Sequence, residues 1–295
     1  MDRSCALRKV PAIMPGVTVH LIDGTYELYR HFYAMPSARN HAGEEVAAVR
    51  GVMYSIRALV RDGATHIGIA TDRVIESFRN DLWPGYKTGD GIDPALWAQF
   101  PLLEEALAVW GLTVWPMVDV EADDALASAA AKAAADPQVE QVVICSPDKD
   151  LAQCVQGTRV VQHDRVRKTT RDESGVLARF GVSPVSIPDY LALVGDTADG
   201  FPGLTGWGAK SAAAVLAKFG HIEAIPDDHQ AWGLNVSRAA SLAATLTRDR
   251  AQALLFKRLA TLRTDVPVFD SVEELKWTGP TPALAGLRRR LAIDD

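Results

Sequence analysis

Val17-Thr18-Val19-His20-Leu21-Ile22-Asp23-Gly24 is an apolar, β-branched run stopped by an acid and a glycine, the pattern of a strand that ends at a turn. The pattern recurs. His66 to Thr71 stops at Asp72, Gln141 to Ser146 leads to Asp148 and Asp150, and the shorter Thr113 to Val118 leads to Glu121. Helical stretches lie between these runs: Val46 to Asp62, Pro101 to Trp110 and the alanine-rich Asp123 to Ala135. Strand and helix in alternation predict an α/β fold with a parallel sheet. Ligands of such sheets collect at the carboxyl ends of the strands, which is where these acids fall.

Nine carboxylates make up the set: Asp23, Asp72, Glu121, Asp123, Asp124, Asp148, Asp150, Asp196 and Asp199. Any one alone reads as a helix cap or a solvated turn. Brought together from five segments, they repel one another and lose solvation unless cations sit between them. Within Glu121-Ala122-Asp123-Asp124 the first and last acids share a helical face, while Asp123 points about 100° away. One short helix can therefore serve two directions. Carboxylates without His or Cys suit magnesium or manganese rather than zinc, and a pair of such ions activates water for attack on a phosphodiester. The seven histidines show no ligand spacing, and His20, His66 and His163 read as core or edge residues. Neither a GxxxxGK[ST] loop nor a GxGxxG after a strand occurs, so nucleotide-dependent chemistry has no support.

The chain has 295 residues, 48% of them hydrophobic and 23% charged, which is ample for a sizeable core and two domains. Its net charge of −6 does not exclude nucleic acid. Of the 37 acids, 28 remain once the nine are set aside, against 31 lysines and arginines, and local patches govern phosphate binding. Cys5, Cys145 and Cys154 show no CxxC spacing, so neither a disulfide framework nor a zinc site is expected. There is no signal-peptide pattern and no apolar run of bilayer length, which predicts a cytoplasmic protein without membrane contact. Residues 1–16 are expected to form a flexible N-terminal tail.

After about residue 182 the texture changes to glycine, proline and short helices. Gly195 to Gly208 is polar and glycine-rich and opens into a helix over Ala209 to Phe219. The run Gly203-Leu204-Thr205-Gly206-Trp207-Gly208-Ala209-Lys210 reads as a turn whose amides, with the following helix amino terminus, can cradle phosphate.

Leu21-Ile22-Asp23-Gly24 with Leu28-Tyr29-Arg30, Ala70-Thr71-Asp72, Phe78-Arg79, Tyr86-Lys87, Glu121-Ala122-Asp123-Asp124, Ser146-Pro147-Asp148-Lys149-Asp150-Leu151 and Gly195-Asp196-Thr197-Ala198-Asp199 resemble, in order, the 5′-3′ exonuclease and flap endonuclease family, which includes the amino-terminal nuclease domain of bacterial DNA polymerase I. The resemblance runs from about residue 17 to 268. It implies a PIN-like parallel-sheet nuclease core over 17–182, with a helical arch at about 73–100. A helical, helix-hairpin-helix-type (H2TH-type) DNA-binding domain over 183–295 would follow.

It also implies cleavage of DNA at 5′ ends, flaps and junctions by two divalent ions, Mg2+ with Mn2+ as substitute, and K+ in the hairpin region. Asp23, Asp72 and the Glu121 helix would build one metal position. Asp148, Asp150, Asp196 and Asp199 would build the other, with Asp123 or Asp124 near the boundary. Arg79 and Lys87 would neutralise the scissile phosphate and Tyr86 would stack on a base. Arg30, Gly203, Gly206, Gly208, Lys210 and Ser211 would meet the DNA backbone, while Trp207 would serve packing. RNA-primed 5′ strands remain open as substrates, and a DNA polymerase acting in trans would fill gaps. Two departures stand out: Asp90 where many members carry an arginine, and Gly200 where an asparagine often follows the last metal aspartate. The competing readings are a non-catalytic DNA-binding protein on the same fold and a PIN-like ribonuclease.

Overall fold

The computed structural model describes residues 16–293. The tail expected over residues 1–16, and Cys5 within it, lie outside the described residues but for Gly16. Six strands form one sheet: β1 (Val17–Asp23), β2 (His66–Asp72), β3 (Thr113–Met117), β4 (Val139–Cys145), β5 (Val160–Asp164) and β6 (Thr169–Arg171). Their order is β3-β2-β1-β4-β5-β6, parallel except for β6. The four strands expected from the sequence are present within two residues at each end.

Side-chain alternation sorts the strand residues between two layers. Ile22, Ile67, Ile69 and Cys145 pack beneath α1 (Gly24–Ala34), α2 (Ala47–Arg61) and α5 (Gln99–Val109). Val19, Leu21, Ala70, Val142 and Ile144 pack beneath α6 (Ala122–Ala135). Alanines let α6 lie close on the sheet, where it carries the chain from β3 across β2 and β1 to β4. The direction of winding reverses between β1 and β4, which opens a crevice at their carboxyl ends. Two short helices, α3 (Phe78–Leu82) and α4 (Pro94–Trp97), lie in the segment between β2 and α5.

Beyond α7 (Glu173–Phe180), a helical part is built from α8 (Ile187–Val194), α9 (Ala209–Phe219) and α10 (Ala239–Ala260) around Phe201, Trp207, Trp232 and Phe256. α10 is broken at Asp249, whose φ of −108° and ψ of 20° leave the helical region. Its carboxyl end abuts α3, and Phe256 meets the Trp83 ring edge-on at 5.2 Å.

From Leu262 the chain returns to the α/β layers, so the helical part does not run to the end as expected over 183–295. Leu262, Phe269, Val272 and Leu275 bury themselves with the α6 layer. Trp277 stacks on Trp110 at 5.2 Å, and α11 (Leu284–Leu291) puts Leu287 and Leu291 into the α2 and α5 layer. Apolar residues at this spacing cannot stay exposed, and the sheet layers are the surface within reach. No helix among the described residues is long and apolar enough to cross a membrane.

Candidate metal centre and nucleic-acid interface

Strand ends and helix starts hold the acids. Asp23 ends β1 and caps α1, accepting the Tyr26 amide at 2.8 Å and the Ser146 hydroxyl at 2.8 Å. Asp72 ends β2 and accepts the Ala122 amide at 2.7 Å, so it caps the first turn of α6 from another strand. Ser146 ties β1 to the Asp148-Lys149-Asp150 segment through its bonds to Asp23 and to the Asp148 amide. The Tyr26, Ala122 and Asp148 amides among these donors are ones that a helix start or a turn leaves free.

Seven of the nine acids fall in two groups, with Glu121 at their border. Asp23, Asp72, Asp123 and Asp148 sense one another's charge. Burial first, then Asp72 and Asp148, push the Asp23 carboxyl up to about 7 against the Tyr26 and Ser146 hydrogen bonds. Asp123 lies well above the usual carboxylate range through burial and the charges of Asp148 and Asp23. Burial raises Asp72 and Asp148 as well. In the second group Asp150, Asp196 and Asp199 bring carboxylate oxygens within 4.8 Å of one another. Burial and the charges of Asp148, Asp199 and Asp196 drive Asp150 well up, and its Oδ1 is buried without a hydrogen-bond partner. An orphaned carboxylate oxygen beside two further acids fits a hard divalent cation.

Lysines border the cluster. Lys87 Nζ lies 2.6 Å from Glu121 and 3.0 Å from Asp199, and Lys149 Nζ lies 2.6 Å from Asp196. Lys87 and Arg79 hold Glu121 below its ordinary value although its burial works the other way.

Three expectations are corrected here. Arg79 is 1% exposed and cannot meet a scissile phosphate. Its nitrogens bond Glu121 at 2.8 Å, both Asp124 oxygens at 2.7 and 2.8 Å, and the Leu259 and Thr261 carbonyls at the end of α10. Asp124 in turn has both oxygens filled, by Arg79 and by the Glu121 and Arg263 amides, so it is no metal ligand. Tyr86 is 3% exposed, with its hydroxyl 3.3 Å from Glu121, and offers no ring face to a base. The shared face of Glu121 and Asp124 thus points to Arg79, and the divergent Asp123 points into the crevice. Arginine and tyrosine read as surface residues until a buried partner is known, and here the partners lie more than 30 residues away.

A strap explains Gly200. The Lys87 amide bonds the Asp199 carbonyl at 3.1 Å and Trp83 Nε1 bonds the Gly200 carbonyl at 3.0 Å. At φ +82° a Cβ on Gly200 would stand 2.0 Å from the Gly85 carbonyl oxygen, so only glycine permits the approach. This approach sets Lys87 beside Asp199. Asp90 lies apart from the cluster, with its amide bonded to Thr88.

Two family profiles match the chain: 5′-3′ exonuclease, N-terminal resolvase-like domain, over residues 18–181, and 5′-3′ exonuclease, C-terminal SAM fold, over residues 182–283. The chain belongs to the 5′-3′ exonuclease family. A 5′-3′ exonuclease of Aquifex aeolicus is 31% identical over 268 residues, covering 89% of this chain and 88% of that protein. DNA polymerase I of Bacillus caldotenax is 32% identical over 266 residues, covering 88% of this chain but 29% of the polymerase. The chain thus spans about three-tenths of the length of the polymerases it matches.

Among solved structures, T5 5′-exonuclease with bound zinc ions superposes with a TM-score of 0.66 at 18% identity, covering 84% of this chain and 90% of that one. The catalytic core of Rad2 in complex with DNA gives 0.59 at 17%, covering 94% and 86%. These likenesses show the fold. The family assignment makes the chain a metal-dependent nuclease.

The helical part of this 5′-3′ exonuclease presents a groove of about 520 Å³ lined by Gly206, Gly208, Lys210, Ser211, Asn235 and Arg238, where the amino ends of α9 and α10 meet. Ser211 Oγ accepts the Gly208 amide at 3.1 Å and donates to its carbonyl at 3.0 Å, so it caps α9 from within the groove. Gly203 lies outside the groove. A Cβ there would stand 2.4 Å from the Gly195 amide, which makes it a close-packing glycine rather than a phosphate contact. Trp207 is buried, with Nε1 on the Leu242 carbonyl, as a packing residue. Arg30 pairs with Glu27 at 2.5 Å and keeps 26% of its side chain exposed.

Proposed function

We propose that this chain hydrolyses DNA phosphodiesters at 5′ ends, flaps or junctions, using two magnesium ions for which manganese can substitute. The observation that carries the reading is the buried triad of Asp150, Asp196 and Asp199, with an orphaned Asp150 oxygen, beside the acids at the ends of β1 and β2 and the start of α6. Asp23, Asp72, Asp123 and Asp148 would hold one ion, and Asp150, Asp196 and Asp199 the other. Glu121 sits at the border, committed to Arg79, Tyr86 and Lys87. Bound there, the ions would supply an activated water and stabilise the leaving oxygen.

Lys87 is the cation best sited to draw the scissile phosphate toward the acids, being partly exposed between Glu121 and Asp199. The α9 and α10 groove would grip a duplex arm through Lys210 and the amides near Gly206 and Gly208, with K+ as a candidate companion ion. The catalytic unit is taken as residues 17–182 and the duplex-binding unit as the helical part that follows. RNA-primed 5′ strands are included as substrates, and synthesis to fill the product gap is assigned to a polymerase in trans.

The test is cleavage of a 5′-labelled flap duplex beside a matched single strand, with magnesium, manganese or chelator. Metal-dependent cutting at the junction is expected, and Asp148→Ala should lose cutting while retaining DNA affinity. Unchanged cutting by Asp148→Ala in saturating magnesium would overturn the metal assignment.

A further inference from the structure

At the amino ends of the strands, away from the clustered acids, the returning chain leaves an apolar hollow. Trp110 closes α5 ahead of β3, and the Trp277 amide bonds the Thr65 carbonyl ahead of β2. From there β2 runs seven residues to Asp72, which puts the hollow roughly 20 Å from the crevice.

The hollow, of about 180 Å³, has room for one large side chain. Tyr54, Trp110, Trp277 and Leu284 line it, its charged lining residues are Arg57 and Arg288, and no acid among the described residues lines it. In a chain with 37 acids against 31 lysines and arginines, that lining departs from the average surface. The walls are preformed. Trp277 stacks on Trp110 and bonds the Trp110 carbonyl at 2.8 Å, the Thr281 amide bonds the Val109 carbonyl at 2.8 Å, and buried Leu287 and Leu291 seat α11. Tyr54, 51% exposed, stands at the mouth one helical turn before Arg57.

An exposed apolar hollow rimmed by polar groups marks a contact with another molecule. The rim decides which kind. Arg57 is exposed and forms no ion pair among the described residues. The positive charge does not extend into a track, because Arg61 faces Asp62 at 3.6 Å and Arg290 is held by Glu44 and Glu105. A nucleic acid binds through many phosphates along such a track. A guanidinium fork instead takes a single carboxylate through two parallel hydrogen bonds. A hollow for one side chain with such a fork at its lip is complementary to an acidic segment carrying one apolar anchor.

We propose that the hollow between α2, the end of α5 and α11 is a docking site for a second protein, which inserts one aromatic or branched apolar side chain and sets a flanking carboxylate on Arg57. The site lies apart from the crevice and from the α9 and α10 groove, so the partner stays attached while DNA is engaged. The inference does not depend on the nuclease reading.

The experiment measures fluorescence anisotropy of a fluorescein-labelled peptide, in which aspartates flank one phenylalanine, titrated with the full chain in chelator. Control peptides carry serine for the phenylalanine or lysines for the aspartates. Saturable binding of the first peptide and of neither control is expected. Arg57→Glu and Tyr54→Ser should each weaken it about tenfold or more. Both positions are exposed, so thermal unfolding and DNA affinity should stay unchanged and show that the variants fold. Absence of saturable binding to wild type, equal binding of the serine control, or undiminished binding by Arg57→Glu would overturn the site. Displacement of the peptide by a short single-stranded oligonucleotide that itself loses affinity in Arg57→Glu would overturn the protein partner in favour of nucleic acid.

Discussion

Arg79 and Lys87 lie eight residues apart and have opposite surroundings. Arg79 is sealed between α3, the start of α6 and the end of α10, with Asp124 fully buried beneath it. Removing it would leave a buried carboxylate without its counter-charge, so Arg79→Met should cost about 3–5 kcal/mol of stability. Denaturant unfolding measures this, and an unchanged midpoint would restore the exposed, phosphate-facing role. Lys87 keeps a solvent-facing side at the crevice. The motif that contains them was legible as a motif, but side-chain fate was not. Burial of a guanidinium depends on Asp124 and on carbonyls of residues 259 and 261, which no local pattern announces.

At the scale of elements, β1, β2 and β4 were readable because branched apolar runs stopped at acids. β5 and β6 escaped because Gln162 and His163 interrupt the short strand and β6 has only three residues, so neither shows a clean period. The reading of α9 held over Ala209–Phe219, since a glycine-rich turn marks its start and Gly220 its end. Its amino end gives the clearest element-level expectation. Lys210→Ala should reduce the salt slope of duplex binding by about 1. Titration of a one-armed duplex against salt checks it, and a parallel, unshifted line would remove Lys210 from the grip.

Across the whole molecule the acids govern stability through pH. Asp23 rises to about 7, and Asp72, Asp123, Asp148 and Asp150 also rise, chiefly through burial. The folded chain therefore keeps protons that the unfolded chain releases near ordinary carboxylate values. The contribution of these five acids to stability in chelator is greatest in acid and falls as pH climbs through that range toward 7. A divalent ion replaces those protons, so the gain in melting temperature on adding magnesium should grow with pH. Differential scanning across that range tests this, and a gain independent of pH would mean the raised acids are not the ligands.

The return of the chain after Leu262 bears on how such a protein can be divided. Residues 262–291 cover both faces of the sheet that the first 182 residues build, through Phe269 against Trp115 on one side and Trp277, Leu287 and Leu291 on the other. α8 to α10 are consequently inserted between two segments that pack on one sheet, not appended to it. A shortened chain ending before α8 would lose those helices and bare two apolar surfaces at once. The sheet and the helices inserted in it should therefore be expressed as one piece.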